Sequence, residues 1–393
     1  MLLRNVNILT PPNMEYLAGY ELGRVEISRG MDIEIEGSII KSIKRSSEES
    51  NPDKWVIPAF TDPHTHSIFC GKRENEIDRR KEVGYQKILE EGGGIYKSIA
   101  DTSSCSEEQM LVQSKKRIVS MMKNGTAIFE IKTGYGKDLS VDKRMLAVME
   151  KVEKDLGISV KKTLLAHVIP GGYSEADYVN EFTGLMEEER ARIDFVDVFV
   201  DTGAFSVASA KKIFTKANEM GVGTRVHMNE IANLNGISEL SKLGIRSWDH
   251  MIETREEEIA LINAVITFLP LTSLFLGKNP RIFKRFLESN KIIAIGSDLS
   301  PNSYVLSLLF VLSLARQTSP FTLSQLINMA TINSTYSLGL SQSAGTIHPG
   351  KKANLIVLSD SYENIGYIFG EDPIEEVIVN GKGVRDKSYG TDH

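Results

Sequence analysis

Apolar and polar positions change rhythm twice along the chain. From Leu2 to about Lys44, short β-like runs at Asn5–Leu9, Gly23–Ser28 and Asp32–Arg45 are separated by turn residues, the pattern of a small sheet. After Trp55, apolar runs of strand length alternate with longer amphipathic stretches. Ser106–Asn124 shows the helical signal well. Ser106 and Gln109 form a capping-box pair, Glu107 and Glu108 occupy the first turn, Lys123 the last, and Gly125 follows as a stop. The strand candidates are Val56–Asp62, Thr126–Lys132, Lys162–His167, Phe195–Val200, Gly223–Met228, Ser247–Met251, Ala264–Pro270 and Lys291–Ser297. Eight βα units predict a closed barrel over residues 56–344, with its site at the C-terminal ends of the strands. Residues 345–393 return to short β runs (Ala353–Leu358, Glu375–Val379) and are expected to join residues 1–55. The expected fold is α/β: a distorted (β/α)8 TIM barrel with a small β-sandwich domain built from both terminal segments.

Charge narrows the partners. Lys and Arg number 46 against 52 Asp and Glu, a formal net charge of −6 in 393 residues, so no broad electrostatic footprint for nucleic acid or an anionic membrane is expected. Ile259–Gly277 carries no charge and nears the ~20 residues that span a bilayer. Asn263, Thr267, Pro270, Thr272 and Ser273 interrupt it, and a helix end, a buried strand and a loop account for the same residues. The N-terminus lacks the basic and apolar regions of a signal peptide. Two cysteines, Cys70 and Cys105, make no disulfide framework and no CxxC motif. Cys70 is expected as a small buried thiol and the compartment as cytoplasmic.

Of seven histidines, five fall at or just after the end of a predicted strand: His64, His66, His167, His227 and His250. In an extended segment residues two apart point to one side, so both imidazoles of His64-Thr65-His66 can meet one ion. A polar loop with two incidental rings is the plainer alternative; position at the end of the first barrel strand favours the ion. His227 offers a third ligand and Asp298 a fourth, although Ser297-Asp298-Leu299-Ser300-Pro301 also has the composition of a turn. Three imidazoles and a carboxylate suit one Zn²⁺ per chain, or Fe²⁺/Fe³⁺. Lys132 ends the second predicted strand rather than the fourth, so no bridging carbamylated lysine, and one ion rather than two, is expected.

These residues carry a family resemblance. Pro58-Ala59-Phe60-Thr61-Asp62-Pro63-His64-Thr65-His66, with later strand-end His, His and Asp, resembles the amidohydrolase superfamily. Further segments resemble the imidazolonepropionase family within it: Gly71-Lys72-Arg73-Glu74-Asn75-Glu76, Glu91-Gly92-Gly93-Gly94-Ile95, Glu130-Ile131-Lys132-Thr133-Gly134-Tyr135-Gly136, Ala166-His167-Val168-Ile169-Pro170, Val196-Asp197-Val198-Phe199, Gly203-Ala204-Phe205-Ser206, His227-Met228-Asn229-Glu230 and Asp249-His250. The resemblance implies hydrolytic opening of 4-imidazolone-5-propanoate to N-formimino-L-glutamate, a small-molecule reaction of histidine degradation. In that chemistry Asp298 takes a proton from water, Glu230 passes one to the leaving ring nitrogen, and His250 steadies the oxyanion or shares the proton traffic. Arg73, Tyr135 and His167 hold the propanoate, with Tyr85 a further contact and Glu230 also facing the substrate. The family also implies a homodimer. One departure stands out: Asp298-Leu299-Ser300-Pro301-Asn302 replaces the D-F-N-P-G of many members, so Ser300 stands where an Asn would touch the ligand, with a shorter reach. Two other readings use the same barrel. A guanine or cytosine deaminase would share the ion but has no need of Arg73; a non-catalytic scaffold would have no need of the four ligands together.

Overall fold

The computed structural model describes residues 1–48 and 53–385. β1 (Leu2–Thr10), β2 (Glu26–Glu36), β3 (Ile39–Arg45) and β4 (Trp55–Pro58) belong to a sheet of the terminal segments. Eight strands then alternate with helices: β5 (Phe60–Thr65), β6 (Thr126–Lys132), β7 (Ser159–Ala166), β8 (Phe195–Val200), β9 (Gly223–Met228), β10 (Ser247–His250), β11 (Val265–Phe268) and β12 (Ile292–Ile295). They pair in chain order, parallel throughout. Residues just beyond β12 bring its end back to β5. Asp298 N donates to His64 O at 3.1 Å, and His66 N donates to Leu299 O at 2.8 Å. The expected (β/α)8 barrel is therefore present. Its strands are buried on both faces, as parallel strands under a ring of helices must be.

β13 (Leu355–Leu358), β14 (Ile374–Val379) and β15 (Lys382–Gly383) return to the N-terminal strands and complete a seven-stranded sheet, in the order β15-β14-β13-β4-β1-β2-β3. Val6, Ile8, Ile33, Ile35, Leu355 and Ile378 form a core of its own there. Two strand readings change. Val56–Asp62 was expected as the first barrel strand, but Val56–Pro58 belongs to β4, which pairs with β1 and β13, and the barrel strand starts at Phe60. An apolar run suits the interior of either sheet, so composition alone does not divide it. Asp32–Arg45 is two strands of a hairpin, because Gly37 adopts the left-handed conformation (φ 59°) and turns the chain.

The helix expected over Ser106–Asn124 spans Glu107–Lys123 with its reciprocal cap: Gln109 N donates to Ser106 Oγ and Ser106 N to Gln109 Oε1, both at 3.1 Å. Ile259–Gly277 contains the end of a 3₁₀ helix, β11 and the short helix Pro270–Phe275; among the described residues no helix is long and apolar enough to cross a membrane.

The cysteine reading is overturned. Cys70 and Cys105 are bonded as a disulfide, not held as buried thiols, so the cysteine content no longer argues for a reducing compartment. The bond fastens the loop that follows His66 to the end of the helix Ile95–Ser104. Cys70 N also donates to Thr102 Oγ1 at 3.1 Å, Arg117 Nε donates to Ser67 O at 3.0 Å, and the Arg117 guanidinium lies 3.8 Å over the Phe69 ring. Arg73 is carried on this anchored loop.

Candidate active site

The strand ends gather the expected donors in one buried place. His64 is the second-last residue of β5 and His66 follows the strand; His227 lies in β9, His250 ends β10, and Asp298 comes three residues after β12. His64, His66 and Asp298 present donor atoms within 4.8 Å of one another, and so do His64, His227 and His250. Asp298 Oδ1 lies 3.6 Å from His64 Nε2 and 3.4 Å from His66 Nε2, and His66 Nε2 lies 3.5 Å from His227 Nε2. Around a tetrahedral ion with metal–nitrogen bonds of ~2.0–2.1 Å, neighbouring donors stand about 3.3 Å apart. His64 Nε2 is buried with no hydrogen-bond partner, while its Nδ1 donates to Asp249 Oδ2 at 2.7 Å. A buried lone pair facing this cluster with no hydrogen-bond donor is suited to a metal ion, so the donor set fits a divalent cation.

Backbone strain concentrates here. His250 (φ 72°), Met251 (φ 55°), Asn229 (φ 54°) and Asp298 (φ 51°) all adopt left-handed conformations that side chains other than glycine's resist. For Asp298, the bond from its amide to His64 O and one from Thr272 Oγ1 to its Oδ2 hold the strained turn in place.

Charge states follow from burial and neighbours. Burial opposes ionisation of Asp298, but the hydrogen bond from His66 and the nearby His64 and His250 outweigh it and hold this carboxyl well below the ordinary range. Glu230 shows the opposite balance: burial, with the negative charges of Asp298 and Asp201, pushes its carboxyl well above the ordinary range. His250 Nε2 lies 3.4 Å from Glu230 Oε2, and burial pushes this imidazole down to about 3, so it is neutral near pH 7.

Tyr135 and His167 join the group: His167 stacks on His66 with ring centroids 5.3 Å apart, and Tyr135 lies 5.4 Å from His167 and 5.9 Å from His66. The loop that presents Tyr135 depends on Gly134 (φ 106°), where a Cβ would meet His167 Cβ at 2.8 Å. Gly134 N donates to Asp142 Oδ1 at 2.7 Å. Arg73 is buried rather than solvated, its Nε donating to Glu76 Oε2 at 2.8 Å. Tyr85 opens the helix Tyr85–Glu90, but its side chain lies outside the described residues. Ser300 is buried two residues past Asp298, and its hydroxyl accepts from Ser303 N at 3.1 Å; Asn302 Oδ1 accepts from Arg80 Nη2 at 2.7 Å.

The sequence reading missed a buried set of charges beneath the histidines: Glu130, Lys132, Asp197, Arg225 and Asp249, all with fully buried side chains. The signal was available as charged residues inside strands that should be buried on both faces, as in Phe195-Val-Asp-Val-Phe-Val200. Lys132 Nζ lies 2.8 Å from Glu130 Oε1 and 2.7 Å from Asp197 Oδ2, so its nitrogen serves as a paired ammonium. Burial works against that charge, but Asp197 and Glu130 outweigh it and raise the group above its ordinary range. Asp201 was missed as well; it accepts from the amides of Glu230, Ile231 and Ala232 at 2.9, 2.9 and 3.0 Å and so fixes the loop bearing Glu230.

Known proteins resemble this chain over most of its length. The amidohydrolase family model matches residues 55–384. The imidazolonepropionase of Thermoplasma volcanium is 35% identical over 391 residues, 97% of each chain, and that of Clostridium tetani 30% identical over 415 residues, 99% of each. Among solved structures, guanine deaminase from C. acetobutylicum with bound guanine superposes with a TM-score of 0.67 over 98% of this chain and 100% of its own, at 17% identity, a likeness of fold. Relatives this similar across almost the full length place the chain in a family, and it belongs to the imidazolonepropionases of the amidohydrolase superfamily.

Proposed function

We propose that the chain hydrolyses the ring amide of 4-imidazolone-5-propanoate to N-formimino-L-glutamate, using one metal ion held by His64, His66, His227 and Asp298. The single observation that carries the substrate is the full-length similarity to imidazolonepropionases at 30–35% identity. A divalent ion in such a site acidifies a water and polarises a carbonyl. The remaining work belongs to side chains. Water adds across the ring C–N bond, its oxygen to the carbonyl carbon and a proton to the leaving nitrogen. Asp298, whose carboxyl is held low, accepts the proton that water gives up; Glu230, whose carboxyl is pushed up, donates a proton to the ring nitrogen. His250, neutral and 3.4 Å from Glu230, shares the proton traffic or steadies the oxyanion. Arg73 pairs with the propanoate, and Tyr135 and His167 flank the ring beside His66. Ser300 supplies a hydroxyl where its reach allows.

Guanine and cytosine carry no carboxylate for Arg73, and guanine deaminase resembles this chain at the level of fold. Zinc suits the donor set as well as iron does; the family's homodimer belongs to the same proposal and is checked by sedimentation. The test is turnover of freshly generated imidazolone propanoate, read as loss of ring absorbance, with guanine and cytosine in parallel. Loss of absorbance with the first substrate alone is the expected result; activity on a base alone would overturn the assignment.

A further inference from the structure

Each histidine that ends a strand has two ring nitrogens, and only one can face an ion. Which one does so depends on what the other meets. Here the other nitrogen meets a carboxylate in two cases: His64 Nδ1 lies 2.7 Å from Asp249 Oδ2 and His227 Nδ1 lies 3.0 Å from Asp197 Oδ2. Asp197 Oδ1 also accepts from the His227 amide at 3.2 Å, so it grips both ring and backbone. Neither carboxylate is free to turn. Lys132 Nζ lies 2.7 Å from Asp197 Oδ2 and 3.7 Å from Asp249 Oδ2, and Arg225 Nη2 lies 3.3 Å from Asp249 Oδ2. Arg225 Nη2 further donates to Pro63 O at 2.8 Å, the carbonyl directly before His64, and Arg225 Nη1 donates to Ser337 Oγ at 3.1 Å. Lys132 thus ties together the supports of a histidine on β5 and a histidine on β9.

We propose that Lys132 and Arg225 are positioning residues that act through Asp197 and Asp249, fixing His227 and His64 as Nδ1–H rings that present Nε2 to the metal. The inference rests on the reading of those histidines as metal-binding. The geometry requires carboxylates at 197 and 249, because a carboxylate can only accept and so fixes the proton on Nδ1. An asparagine in either place has the same size but one donor arm. One atom, Oδ2, meets both ring and cation in each case, so an asparagine oxygen can still accept from the ring, but the amide brings no negative charge to support the ring, and at 197 its NH₂ would face the His227 amide hydrogen.

The experiment uses Asp249→Asn, Asp197→Asn and Lys132→Met in the full chain stripped of metal, with zinc as the probe. Competition against a chromophoric chelator is expected to show zinc affinity about 10–100-fold weaker in each Asn variant, and weaker still in Lys132→Met. Nitrogen-15 ring spectra of the metal-free parent are expected to show His64 and His227 as Nδ1–H forms. Removing a buried charge partner can prevent Lys132→Met from folding; the Asn variants and the parent's ring forms then decide. Zinc affinity within threefold of the parent in both Asn variants, or Nε2–H rings in the metal-free parent, would overturn the inference. Turnover is not the readout, so a parent that opens the imidazolone ring but keeps Nε2–H histidines refutes this inference alone. A parent with Nδ1–H rings and no such turnover refutes the proposed reaction alone.

Discussion

Arg73 lies buried between Lys72 and Glu74, which are exposed, and its Nε is engaged by Glu76, which in turn accepts from Gly94 N at 3.0 Å. A guanidinium held in this way can pair with a carboxylate at little further cost in side-chain ordering. Hydrogen bonds to charged groups contribute about 1.5–3 kcal/mol, so Arg73→Ala is expected to raise KM by roughly 10–100-fold with kcat changed much less. An unchanged KM would remove Arg73 from the substrate site. Asp142 gives a second prediction, in stability. Burial, opposed by bonds from Gly134 and Thr133, pushes its carboxyl up to about 7 from an ordinary 3.8. A folded-state value above the unfolded one means that the contribution is fully present below about pH 4 and is lost as pH rises through about 7. Asp142→Asn keeps an oxygen for Gly134 N and cannot ionise. Its melting temperature relative to the parent is expected to rise between pH 5 and pH 8; parallel curves would contradict the buried, neutral Asp142.

At the scale of elements, the loop from His66 to Arg73 is held from outside the barrel by the Cys70–Cys105 bond and by Arg117. The pairing closes a loop of sequence separation 35, for which chain-entropy arguments give about 4 kcal/mol. Replacing both cysteines with alanine is expected to lower the melting temperature and, because Arg73 rides on the loop, to raise KM more than it lowers kcat. A double variant with unchanged KM would show that the loop holds its shape without the bond. The capping box at Ser106 and Gln109 was legible because it is written in adjacent residues, whereas this disulfide was not, because only the packed loop brings the two cysteines together. The split between β4 and β5 was equally hidden: Val56 and Ile57 are as apolar as a barrel strand, and only their pairing with β1 and β13 separates them.

Across the whole molecule, alternation of strand and helix was enough to read the barrel, and the barrel was enough to place five histidines and Asp298 near one another. The charge layer below them was not legible, because Lys132, Asp197, Arg225 and Asp249 come from four strands. Their contacts depend on how the strands stagger around the ring rather than on any local period. The same closure explains the site: bonds from Asp298 N to His64 O and from His66 N to Leu299 O join the first and last strands at the point where the ligands converge. The proposed ring hydrolysis depends on one ion per chain. Titrating the chelator-stripped protein with zinc while following imidazolone propanoate measures this dependence. Activity is expected to rise linearly and level at one equivalent per chain; a break at two equivalents, or full turnover with no metal added, would refute a single catalytic ion.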